Sequence, residues 1–154
     1  MANQASPTPP AAGTFLRDEL AERIAALAGR LPEAAALLDA ARPGARRVGV
    51  RGLAGSARGC LVSWLQRGTG RTLLYVVAHG EAYEEARDDL EYFRGPGATL
   101  ALPEPDTLPY DPSSPHPGIT AQRLETLARL AADRDGGGAR GSGVVLTTVR
   151  GVLQ

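Results

Sequence analysis

Residues 72–94 read Thr-Leu-Leu-Tyr-Val-Val-Ala-His-Gly-Glu-Ala-Tyr-Glu-Glu-Ala-Arg-Asp-Asp-Leu-Glu-Tyr-Phe-Arg, and this stretch decides the fold. Thr72–Val77 is a continuous apolar run with β-branched and aromatic members, the pattern of a strand covered on both faces. From Gly80 to Arg94 the period changes. Ala82, Ala86, Leu90 and Phe93 line one side and acids take the other, which predicts an amphipathic helix. Outward from this pair the alternation continues. Thr99–Leu102 and Val144–Thr148 are further strand candidates, and Arg46–Val50 reads as a short strand upstream. Helical spacing marks Ala57–Arg67 and Thr120–Asp133, the latter with Leu124, Leu127, Ala128 and Ala131 as its expected buried stripe. Strands alternating with helices indicate βαβ units and a parallel sheet, an α/β fold flanked by helices.

Upstream, Leu16, Leu20, Ile24, Leu27 and Leu31 recur at helical spacing within 14–31, and Glu19 and Arg23 form an i,i+4 pair. A second short helix follows Pro32 and ends before Pro43 and Gly44. Residues 1–13 are rich in Ala and Pro and read as a disordered arm, leaving 14–154 as one α/β domain. Asp135–Gly143 reads as a glycine-rich link. No internal repeat is visible. The sequence stops as a new element begins after Val144–Thr148, which reads as a fragment of a larger protein.

Composition removes whole classes of chemistry. The 154 residues suit one domain. Every basic side chain is arginine, so Schiff-base chemistry and a phosphate-binding lysine are excluded. One cysteine, Cys60, excludes an internal disulfide and any multi-cysteine zinc site. Two histidines, His79 and His116, cannot build a three-histidine metal centre. No apolar run suffices to span a bilayer, and the N-terminus lacks signal-peptide features, so the expected setting is cytoplasmic. Seventeen basic and seventeen acidic groups cancel, yet they segregate. Residues 40–80 hold seven arginines (Arg42, Arg46, Arg47, Arg51, Arg58, Arg67, Arg71) and no acid, whereas residues 81–111 hold nine acids and two arginines. Each block is either the solvated face of its own element or, for the first, an edge that meets phosphate.

Between the first strand and its helix lies Gly52-Leu-Ala-Gly-Ser-Ala-Arg-Gly59, where a P-loop belongs. The working pattern needs a second glycine, a lysine and then Ser or Thr. Glycine lets backbone N–H groups close on phosphate, lysine reaches the β and γ oxygens, and the hydroxyl holds magnesium. Here Ala57, Arg58 and Gly59 occupy those three positions. Nor does an Asp-Glu pair follow any strand. The remnant (Gly52, Gly55, Ser56, Ala57, Arg58, Gly59) keeps the turn and loses the chemistry, apart from residual anion binding at a helix N-terminus.

Six of the twelve prolines fall within 103–117, which predicts a stiff extended loop leaving a strand end, where α/β folds place their sites. Tyr110 and His116 are its side chains with stacking or catalytic potential, and the simpler expectation for both is loop anchoring. The run Asp106-Thr-Leu-Pro-Tyr110-Asp111, then Ser-Pro-His116, then Ile119 and Arg123-Leu-Glu-Thr-Leu127, resembles the N-terminal domain of the bacterial transcription-repair coupling factors (Mfd). Gly52–Ala57 and the closing 145–154 resemble the same domain, which is similar to the first domain of the excision-repair protein UvrB. The resemblance covers residues 14–154. It implies a P-loop-NTPase-like, UvrB-like module with a degenerate nucleotide site. It also implies that the full-length protein is an ATP- and magnesium-dependent translocase on double-stranded DNA that displaces stalled RNA polymerase and recruits UvrA. The motor and the polymerase- and UvrA-contacting domains would lie beyond this segment, leaving the module no cofactor of its own and the rest of the polypeptide as its partner. Two rival expectations stand beside it: a domain that still binds ATP through Arg58, and a DNA contact through the 40–80 arginine block.

Overall fold

The computed structural model describes residues 12–41, 44, 47–107, 116–135 and 143–153. The elements run α1 (Ala12–Ala28), α2 (Pro32–Ala40), α3 (Ala57–Thr69), β1 (Leu73–Val77), α4 (Gly80–Arg94), β2 (Thr99–Leu102), α5 (Pro117–Asp135), β3 (Val144–Thr148) and α6 (Val149–Leu153). Local chemistry sets several bounds. Pro32 supplies the first turn of α2, where its missing N–H costs nothing. Gly70, at φ 63°, takes the left-handed turn that closes α3, its N–H donating to Gln66 O at 2.9 Å. The His79 ring caps α4 by accepting from Ala82 N at 3.4 Å.

The three strands form one parallel sheet in the order β1-β3-β2. Leu73, Tyr75 and Val77 align with Val144, Leu146 and Thr148 on one face; Leu74 and Val76 align with Val145 and Thr147 on the other. The first face is covered by α3 and α4, with Val77, Tyr83, Ala86, Leu90, Val144 and Leu146 as its buried core. α5 packs on the edge strand β2, where Thr126 Oγ1 donates to Ala101 O at 2.5 Å. The chain passes β3 on its way from β1 to β2, then turns back to it.

α3 and α4 are held by more than their apolar contact. Arg67 Nη2 donates to Phe93 O and Arg94 Nη1 to Gln66 Oε1, each at 2.7 Å. Each guanidinium thus reaches across to the last turns of the other helix, where cations are favoured. Burial, with Arg67 nearby, pulls Arg94 down from its ordinary value.

Four sequence expectations are corrected. Residues 47–50 make no strand; Val48 and Val50 are exposed and line an apolar groove with Leu31, Leu37 and Trp64, away from the sheet (Arg46 lies outside the described residues). β-Branched residues favour extended backbone, but a strand also needs a neighbour to pair with. β1 is covered on one face only: it is an edge strand, and Leu74 and Val76 stay 58% and 40% exposed. On α5 the expected stripe is outside: Leu124 and Leu127 are 61% and 50% exposed, with Ala128 and Ala131 exposed beside them, while Thr126 is buried. On α1, Ala21 is buried whereas Leu20 and Leu27 are exposed. Periodicity locates an apolar stripe but not what it faces. The Thr126 bond to β2 turns α5 so that its leucines point elsewhere. The 1–11 segment of the expected arm and the 136–142 part of the glycine-rich link lie outside the described residues.

Alkaline pH is expected to weaken this core. Burial pushes Cys60 above its ordinary 9.0, and Tyr75 and Tyr83 above 10.0. A neutral form held in the fold contributes stability below the unfolded pKa and loses it as pH rises through the folded one. These three groups should therefore lower the melting temperature as pH rises above ~9. Tyr83→Phe should make that fall shallower, and an unchanged slope would remove Tyr83 as a cause.

Candidate functional site

The glycine turn 52–56 stands before α3, and its two positive-φ residues, Gly52 (82°) and Gly55 (52°), make the sharp bends. Beyond them the loop closes on itself. Ala57 N donates to Ala54 O at 3.2 Å and Cys60 N to Ser56 O at 3.0 Å, so two N–H groups that a phosphate cradle would aim outward bond within the turn and helix. The Ser56 side chain makes no cap bond. Ala57 begins α3 with its methyl group exposed.

Gly59 is buried where α3 crosses α4, and a Cβ built there would lie 2.5 Å from Asp89 Cβ. The position that would carry a metal-binding hydroxyl is therefore consumed by helix packing. At exposed Gly68 a Cβ would lie 2.7 Å from Leu38 Cδ2, the far end of a flexible side chain that can give way.

Gly55 and Arg58 line a pocket of about 330 Å³ at the C-terminal end of β1, together with Tyr75, His79, Glu85 and Asp89. Burial raises the Tyr75 phenol, Arg58 opposes the rise and Asp89 adds to it. With His79 serving as the α4 cap, Arg58 faces two carboxylates. One cation against two anions repels a polyphosphate. Lysine, hydroxyl and tight glycine are all missing, so the residues present do not fit ATP with magnesium. Among the described residues no group of three or more His, Cys, Asp or Glu is placed to hold a metal ion.

The motif residues of the proline loop lie beside the sheet's C-terminal edge. Both Asp106 carboxylate oxygens accept from His116 N at 3.1 Å, and the His116 ring accepts from Gly118 N at 3.1 Å. His116 O also accepts from Ile119 N at 3.0 Å. His116 thus caps α5, the anchoring role expected of it. Tyr110 and Asp111 lie outside the described residues. Arg123 Nη1 donates to Pro103 O at 2.6 Å and to Gly151 O at 3.3 Å, tying the loop's start to α6. Thr148 Oγ1 donates to Glu104 Oε2 at 3.0 Å and accepts from Gly151 N at 3.0 Å. Glu104 and Thr148 were not singled out in the sequence; a carboxylate two residues past one strand and a hydroxyl ending another were the available signal. Arg123→Met should cost ~1.5–3 kcal/mol, the scale for bonds to a charged donor, read from the urea midpoint. A shift below ~0.5 kcal/mol would mean that Arg123 does not hold this edge.

Among the described residues the arginine block is spread over α3 and the segments on either side of it. Arg58 starts α3 and Arg67 lies near its end, ~13 Å further along the axis. Arg67 and Arg71 spend donors on Phe93 O and Ala41 O. Arg47 and Arg51 are exposed on the segment before α3, and Arg42 and Arg46 lie outside the described residues. No described helix is long and apolar enough to cross a membrane.

No family model matches the chain. A transcription-repair-coupling factor from Myxococcus xanthus is 35% identical over 102 residues, 62% of this chain. The match spans only 8% of that protein's length.

Proposed function

We propose that this chain is a UvrB-like, non-catalytic module from the N-terminal part of a transcription-repair coupling factor. The likeness to the M. xanthus protein supports the repair setting, and the motif run from Asp106 to Arg123 supports the UvrB-like assignment. The observation that carries the non-catalytic part is Gly59, whose missing side chain makes room for Asp89. In this reading the module supports a neighbouring UvrA-recruiting domain and helps to restrain the motor of the longer protein. ATP, magnesium, double-stranded DNA and RNA polymerase are handled by other parts of that protein.

The test is magnesium-dependent ATP turnover by the purified chain. No phosphate release above buffer is expected, and release that tracks protein concentration would overturn the reading. The rival DNA contact is addressed by duplex binding at two salt concentrations. Scattered arginines predict no tight complex, whereas affinity that falls steeply with salt would favour the arginine block.

A further inference from the structure

β1 and β2 are the two edges of the sheet, and they differ. At β2 the edge is occupied: α5 packs on it, and Thr126 Oγ1 donates to Ala101 O. At β1 the edge is open. Leu73 N donates to Gly143 O at 2.9 Å, so the main-chain groups of Leu73, Tyr75 and Val77 point to β3. These groups alternate along a strand, which turns the N–H and C=O of Leu74 and Val76 away from β3. Among the described residues nothing bonds to them. Such an edge is a template for another strand, and proteins guard it with charge, proline or a bulge. Leu73–Val77 carries neither charge nor proline, and its register with β3 runs without a bulge.

We propose that the open edge of β1 pairs antiparallel with the same edge of a second copy of this chain, about a two-fold axis at Tyr75. Hydrogen bonding, apolar matching and charge each select this arrangement. The register sets Leu74 opposite Val76 of the second copy. Both residues carry outward main-chain groups, so each such pair exchanges two N–H···O bonds. Leu74 and Val76 also share one face and are 58% and 40% exposed, so the same register makes apolar cross-strand pairs from side chains that otherwise face water. Arg71 then stands opposite His79 of the second copy, two residues from Glu81, the acid in the first turn of α4. In-register parallel pairing would instead set Arg71 beside Arg71. The contact is isologous, so it closes at two copies. Five residues a side is well below the ~20–30 of a standard interface, so the dimer is weak and reversible, forming at ~0.1–1 mM chain.

Sedimentation equilibrium of the purified chain from ~10 µM to ~1 mM at low salt tests the proposal. The average mass should climb from monomer toward dimer and no further. Val76→Pro deletes an outward N–H that the fold does not use, and should hold the protein monomeric with its circular dichroism unchanged. Arg71→Glu should weaken association about tenfold or more, and adding Glu81→Arg should restore it. Leu127→Lys removes an exposed leucine of α5 and should leave association as it was. A monomer throughout the range, association that survives Val76→Pro in a folded protein, or association lost with Leu127→Lys would overturn the proposal. Should Val76→Pro fail to fold, the charge swap decides, since a double variant no tighter than Arg71→Glu alone would also overturn it. None of these outcomes depends on ATP turnover, so the functional reading stands or falls separately.

Discussion

Leu90→Ala should lower the unfolding free energy by ~2–5 kcal/mol, seen as a matching drop in the urea midpoint. Leu90 has no exposed surface and lies with Val144 and Leu146 where α4 meets the sheet. In a three-stranded sheet with one well-covered face, few other side chains can close the resulting cavity. The contrast is Leu127→Ala, which removes the same atoms from a half-exposed site and should shift stability by no more than ~0.5 kcal/mol. Equal losses at the two positions would mean that α5, not α4, carries the core.

Gly59→Ser restores the hydroxyl of the phosphate-loop pattern and should damage the fold instead of reviving it. The added Cβ meets Asp89 Cβ at 2.5 Å, and neither helix can move without disturbing the Arg67–Phe93 and Arg94–Gln66 bonds. Overpacking of this kind costs ~1–3 kcal/mol, offset in part by the ~0.5–1 kcal/mol that glycine costs inside a helix. The Gly59→Ser/Asp89→Gly double variant should lose less than the sum of its two single changes, because the two residues touch. Adding Arg58→Lys should still give no hydrolysis, since no Asp-Glu pair follows a strand. A Gly59→Ser protein as stable as the parent would show that the crossing is loose and the glycine unconstrained.

Much of the architecture was legible because local signals agreed with tertiary need. α4, β2 and β3 appear at the bounds read from the sequence, and the apolar run and glycine punctuation of β1 placed it to within one residue. What failed was orientation. The leucine stripes of α1 and α5 are real, yet small residues such as Ala21 and Thr126 make the buried contacts. A hydroxyl bonded to a strand carbonyl leaves no periodic trace. The site was legible as a loss: Ala57, Arg58 and Gly59 could be read as missing parts, but only the α3–α4 crossing gives a physical reason for Gly59. His116 could be read as an anchor, whereas its pairing with Asp106 across ten residues depends on the path of the chain.

Calorimetric titration of the purified chain with ATP and magnesium addresses the central proposal most directly. A pocket in which Arg58 confronts Glu85 and Asp89, behind a loop whose amides bond inward, should give no heat beyond dilution. A saturable, magnesium-dependent isotherm abolished by Arg58→Ala would contradict it and make this a nucleotide-binding domain.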